Sequence, residues 1–166
     1  MATYIKTYSP QAVRMSYGGF PITGFADGEF ITITPNSDLT DEVVGAQGDL
    51  ALTKIANYTA TVTFTLLQNA ECNLYLTNIY AGQQRRDDVV RENLSIVDPS
   101  GSTLYECRDV HIKTAAPVTL SDGQNSKTWT MFVGNMIPVS SNSEITQVLG
   151  IASQVAAAGQ LLGLGN

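Results

Sequence analysis

Between positions 59 and 66 the chain alternates without a break, with Ala60, Val62, Phe64 and Leu66 apolar and Thr59, Thr61, Thr63 and Thr65 hydroxylated. A period of two over eight residues places every apolar side chain on one sheet face and every threonine on the other. The threonine face carries short, uncharged hydrogen-bonding groups, which hold a shape without gripping a ligand. Alternation defines two faces without naming the wet one. The hydroxyl row faces solvent, or it packs beneath a helix or a second sheet.

Other stretches also read as strands. Residues 11–17 and 20–24 flank Gly18-Gly19, a hairpin turn signal. Ala26-Asp27-Gly28 marks another turn before the alternating Phe30-Ile31-Thr32-Ile33-Thr34, which Pro35-Asn36-Ser37-Asp38 stops. Residues 93–97 and 103–113 flank the turn residues of 98–102. Val118-Thr119-Leu120 reads as a short strand. Residues 128–133 read as the last one, with Trp129, Met131 and Val133 on one face. A single core helix is predicted over about 69–81, with Asn69 as its N-cap and Leu67, Leu74 and Ile79 on its apolar side. Residues 83–88 then make a polar connection. Short strands with one helix predict a mainly β (α+β) chain, an antiparallel β-sandwich or partly closed barrel with a packed helix.

Two segments break the pattern. Residues 35–54 show no periodicity and carry Asp38, Asp41, Glu42 and Asp49 among the apolar Val43, Val44, Leu50 and Leu52. A loop this long inside a compact domain is functional or disordered; its valines and leucines point to an arm that folds against a partner. From residue 141 the chain changes character. Ser141-Asn142-Ser143-Glu144 has the form of a capping box, and Ile145, Val148, Leu149, Ala152, Val155 and Leu162 follow at helical spacing. No charged residue occurs from Ile145 to Asn166, yet glutamines and glycines make the segment too weakly apolar for a membrane span. The predicted organisation is a β domain over 1–140 with this arm and helix, followed by a helical interaction extension over 141–166.

Composition bears on the surface. Charged residues are 14% of the 166 and apolar ones 43%, with a net charge of −6. A charge-poor chain of this kind fits a surface covered by neighbouring subunits. Its nine Lys and Arg form no basic stripe, which argues against gripping nucleic acid. No basic-then-apolar leader opens the chain, so nothing marks it for export through a signal peptide. Candidate chemistry is thin. Cys72 and Cys107 form no C-x-x-C pair and read as reduced thiols. Cys107, Asp109 and His111 line up as alternate residues of one strand, but about 7 Å between such neighbours is too far for a proton relay. No ligand spacing for zinc and no phosphate-cradling glycine loop is present. The expectation is a protein that is not an enzyme and carries no cofactor and no metal.

The order and spacing of several fragments resemble bacteriophage tail tube proteins of the contractile-tailed (myophage) type. They are Tyr8-Ser9-Pro10-Gln11-Ala12-Val13, Gly24-Phe25-Ala26-Asp27-Gly28, Phe30-Ile31-Thr32-Ile33 and Val43-Val44-Gly45-Ala46-Gln47-Gly48. Thr61 to Leu66, Asn73-Leu74, Leu94-Ser95-Ile96-Val97-Asp98 with Gly101, and Trp129-Thr130-Met131-Phe132 continue the likeness, which spans about residues 4 to 136. The residues after Ser140 lie outside it.

The resemblance implies hexameric rings whose subunits share one continuous β-barrel, stacked into a hollow tube that conducts the genome during ejection. It also implies tail sheath, tape-measure and baseplate or terminator proteins as partners. DNA would pass through the lumen without specific binding, and the protein would reside in the virion after assembly in the bacterial host cytoplasm. On this reading Asp27, Glu29, Thr59, Thr61, Thr63, Thr65, Asp87 and Asp88 are candidates for the lumen, where carboxylates and hydroxyls would repel phosphates. Asp38, Asp41, Glu42, Val43, Val44, Asp49, Leu50 and Leu52 are candidates for ring stacking. Two alternatives stand beside it, a tube of a contractile injection or secretion system that delivers protein, and a small β-sandwich binding domain with a concave pocket.

Overall fold

The computed structural model describes residue 5, residues 7–100 and residues 103–139. It contains nine strands: β1 (Arg14–Tyr17), β2 (Phe20–Ile22), β3 (Ile31–Pro35), β4 (Thr40–Val44), β5 (Leu50–Lys54), β6 (Ala60–Leu67), β7 (Glu92–Asp98), β8 (Thr103–Thr114) and β9 (Ser126–Pro138). One helix, α1 (Cys72–Arg85), joins β6 to β7. Seven strands form one antiparallel sheet in the order β2-β1-β7-β8-β9-β6-β3, curled into a half-barrel, and β4 pairs only with β5. The predicted mainly β fold with one packed helix is therefore the observed one.

The alternation of β6 decides where the core lies. Ala60, Val62, Phe64 and Leu66 are buried, while Thr61, Thr63 and Thr65 are only partly covered. The same face of the sheet contributes Met15, Tyr17, Leu94, Ile96, Trp129, Met131 and Val133 to a single cluster, which α1 covers with Cys72 and Leu76. The β1–β2 hairpin turns through Gly18 and Gly19, both at positive φ (58° and 80°), as a two-residue hairpin turn requires. Phe20 stacks on Tyr75 of the helix with ring centroids 4.1 Å apart, which ties this edge of the sheet to α1.

The helix differs from its predicted form at both ends. Asn69 does not cap it, because its side-chain oxygen accepts from Gln124 Nε2 at 2.8 Å. Glu71 occupies the cap position without a side-chain bond. The last turn runs on through Gln83, Gln84 and Arg85, the first part of the expected polar connection. Leu74 points to solvent, and the buried side is Cys72, Asn73 and Leu76.

Irregularity in β8 reshapes the far side of the sheet. Glu92 pairs with Val110 but Leu94 with Cys107, so β8 carries an extra residue there, and Asp109 sits at φ 54°. Gly134 lies opposite, where a Cβ would come within 2.9 Å of the Asp109 Cβ. The bulge therefore needs a glycine across from it. β9 continues past this point to Pro138, five residues beyond its predicted end, because Tyr105, Glu106 and Cys107 of β8 remain available to pair with it. Val118-Thr119-Leu120, expected as a strand, is an extended loop without a ladder partner. The C-terminal extension, with Ile145, Val148, Leu149, Ala152, Val155 and Leu162, lies outside the described residues.

Candidate functional site

Two features of the surface stand out, a hydroxyl face and a projecting hairpin. The hydroxyl face follows from register. Thr34 is opposite Thr61, Thr32 opposite Thr63, Thr63 opposite Thr130, and Thr65 opposite Thr128. Seven threonines of β3, β6 and β9 thus share the side of the sheet that faces away from the core and from α1. Hydrogen bonds order the field: Thr65 and Thr128 hydroxyls lie 3.1 Å apart, and Thr61 Oγ1 donates to Asn36 Oδ1 at 2.8 Å. Thr59 ends the row, its hydroxyl donating to Asn57 Oδ1 at 2.8 Å. On the β8 side the field stops at His111 and Phe132, whose rings are 5.3 Å apart.

The predicted carboxylates divide. Asp27 and Glu29 lie in the exposed turn between Ala26 and Phe30, both of which bond through their backbones to Thr65, so they flank one end of the field. Asp87 and Asp88 follow the end of α1, where Asp88 pairs with Arg91 at 3.5 Å. Sequence reading passed over Thr32, Thr34, Thr128 and Thr130, although Ile31/Ile33 and Trp129/Met131 alternate with them in the same phase as in β6.

The 35–54 segment, read as an irregular arm, is a regular hairpin. β4 and β5 pair with Thr40 opposite Lys54, Glu42 opposite Leu52 and Val44 opposite Leu50, and every residue of both strands is exposed. It prolongs the β3–β6 ladder, since Asn36 N donates to Thr59 O and Ile55 N to Leu39 O. About ten residues from Pro35 to the tip at about 3.3 Å per residue give a reach of roughly 30 Å. Asp38, Asp41, Glu42, Val43, Val44, Asp49, Leu50 and Leu52 all lie on it. An apolar groove of about 610 Å³ opens at its root, lined by Leu39, Tyr58, Met136 and Ile137 among others.

No catalytic constellation is assembled among the described residues. The β8 bulge sends Cys107 into the core and leaves His111 on the opposite face, so these two do not share a side as simple alternation implied. Burial, then the Glu106 charge, pushes the Cys107 thiol up to about 11, which keeps it protonated and unreactive. A groove of about 930 Å³ beside β1 is lined by Val13, Pro21, Phe25 and Phe30, with Arg14 and Asp27 as its charged residues. No helix among the described residues is long and apolar enough to cross a membrane.

His111 offers a check on this geometry. Burial, then the Arg91 charge, lowers its pKa below the ordinary 6.5. Protonation therefore favours the unfolded chain: the contribution to stability is complete above pH 6.5 and declines as pH falls through the lowered value. NMR titration of this sole histidine is expected to give a midpoint below 6.5. A midpoint at or above that value would mean that the imidazole is more exposed than the structure places it.

A family model described as the bacteriophage PhiTE tail tube protein matches residues 1–138. No curated protein matches the sequence. Among solved structures, the chain is similar to one in the virion of a native gene transfer agent particle, at 13% identity and TM-score 0.58 over 81% of this chain and 100% of that one. It is similar to a chain of the anti-feeding prophage cap, which terminates that tube, at 10% identity and TM-score 0.55 over 85% and 95%. A chain of an extracellular contractile injection system, the PVC sheath-tube complex in its extended state, aligns at 12% identity and TM-score 0.52 over 81% and 92%. At such identities these likenesses speak to the fold. A family match over most of the chain, on a curled sheet with a projecting hairpin, identifies it: this chain belongs to the bacteriophage PhiTE tail tube protein family and is a structural protein of the phage tail.

Proposed function

We propose that six copies of this subunit close into a ring, that rings stack into the inner tube of a contractile phage tail, and that the hydroxyl face of β3, β6 and β9 lines the lumen. The observation that carries this reading is the pairing of an uncharged threonine field on one side of the sheet with a helix-covered core on the other. A conduit must not hold what it conducts. Uncharged hydroxyls offer a passing phosphate backbone no cation and no counterion-release gain. Ring closure would cover the two sheet edges, β2 and β3, which are otherwise an aggregation liability.

The β4–β5 hairpin reaches the neighbouring ring, with Val43, Val44, Leu50 and Leu52 as its apolar anchors. Sheath and baseplate proteins are the partners this role implies outside and at the end of the tube, a tape-measure protein inside it, and a terminator at its head. The virion is its place of work and the host cytoplasm its place of assembly. The subunit supplies a passage and no covalent chemistry. A tube that delivers protein is the second reading, and the absence of carboxylates from the threonine field itself favours it. Electron microscopy of the purified protein at low and high concentration tests the assembly, with rings and then hollow tubes of uniform width expected.

A further inference from the structure

We infer that the hairpin of one subunit docks on the 115–125 loop of a second copy of this chain, in the next ring, through contact of Val44, Leu50 and Leu52 with Val118 and Leu120. This rests on the stacking role proposed above for the hairpin and names the surface that receives it.

The two surfaces lie at opposite ends of the same strand. The hairpin leaves β3 at Pro35 and returns to β6 at Ala60, whereas the loop enters β9 at Ser126, opposite Leu67. Seven residue steps along β6 separate them, about 23 Å at 3.3 Å per residue. A contact between different patches at opposite ends of one subunit is head-to-tail, and it repeats along an axis unless its rotation closes a ring. Stacked rings need this kind of contact.

Both surfaces are apolar and uncovered. Alternate residues of a strand share a face, so Val44, Leu50 and Leu52 lie together on one side of the hairpin. Leu50 and Leu52 are 61% and 65% exposed, and Val118 and Leu120 are 70% and 79% exposed. The loop nevertheless has a fixed shape. Gln68 N donates to Asn125 O at 2.9 Å, Asn125 Nδ2 to Thr119 O at 3.0 Å, and Gln124 Nε2 to Asn69 Oδ1 at 2.8 Å. A pre-ordered apolar protrusion loses little entropy on docking.

Charge points the same way. Residues 38–54 hold four carboxylates against one lysine, while residues 113–127 have a lysine at each root, Lys113 and Lys127, against Asp122 alone. The acidic hairpin and the basic-rooted loop therefore attract, which steers encounter toward the head-to-tail arrangement.

Three full-length variants test the contact: Leu50→Asp with Leu52→Asp, Val118→Asp with Leu120→Asp, and Leu50→Cys with Leu120→Cys. Both aspartate pairs are expected to lose long tubes while retaining the circular dichroism spectrum of the parent. Oxidised tubes of the cysteine pair are expected to run as a ladder of covalent oligomers on a non-reducing gel, which neither single cysteine gives; native Cys72 and Cys107 are buried. Normal tubes from the loop pair, with none from the hairpin pair, would overturn this acceptor and leave the stacking role intact. Normal tubes from both pairs would remove the stacking role itself. Tubes of the cysteine pair that form without a ladder would also overturn the contact, and this outcome decides the matter if the loop pair misfolds.

Discussion

A subunit from which residues 39–55 are excised, with two glycines closing the gap, is expected to fold normally and to form no long tubes. No residue of β4 or β5 is buried, and none belongs to the core cluster. The cut falls at the Ile55–Leu39 hydrogen bond and spares the Asn36–Thr59 and Asn36–Thr61 bonds at the root. A shorter connection also costs less loop-closure entropy, so the melting temperature should hold or rise slightly. A two-stranded hairpin is marginal by itself in water. Burying its four large apolar side chains on a neighbour would release about 1.5–3 kcal/mol for each one fully covered. Loss of that term falls on ring-to-ring contact. Electron microscopy and a thermal melt on the same preparation check the prediction: tubes of parental length from a well-folded deletion would refute it.

Asn73→Ala is expected to lower subunit stability by about 2–3 kcal/mol, the penalty of an unsatisfied buried donor together with lost packing. Asn73 is the buried polar residue of the core among the described residues, at 5% exposure. Its amide donates to the carbonyls of Leu67 and Gln68 at 2.8 and 3.2 Å, and its oxygen accepts from Trp129 Nε1 at 3.0 Å. One side chain thus holds the first turn of α1 to the end of β6 and to the middle of β9. In the variant the Trp129 N–H is left without a partner at 2% exposure. For a chain of this size the loss corresponds to a melting shift of roughly 5–10 °C. Because the penalty comes from stranding one partner, Asn73→Leu combined with Trp129→Phe should cost less than the two single changes added together. Additive effects in that cycle would show that the bond contributes nothing of its own.

Legibility of the fold tracked how each strand is buried. β6 was plain because one face is dry and the other wet, which imprints strict alternation on the sequence. The β4–β5 hairpin was not, since both of its faces are exposed in the single subunit and nothing forces apolar and polar residues to alternate. Val43-Val44 and Leu50/Leu52 on either side of Gly45 to Gly48 were the available hairpin signal. Val118-Thr119-Leu120 had the alternation of a strand, but alternation specifies a face and not a partner strand. The β8 bulge was hidden because Cys107, Asp109 and His111 read as regular alternation, and only the pairing with Gly134 reveals the positive φ of Asp109. Asn69 looked like a cap in sequence because its alternative partner, Gln124, is 55 residues away. The threonine field was half legible: β6 displayed its own row, and register alone adds Thr32, Thr34, Thr128 and Thr130.

Helical reconstruction of tubes assembled from the purified, full-length protein would show directly which face of the sheet lines the lumen. The expected result is six subunits per ring, the threonines of β3, β6 and β9 around the lumen, α1 on the outside, and each β4–β5 hairpin crossing into the next ring. A lumen lined by α1, or a protein that stays monomeric at every concentration, would contradict it.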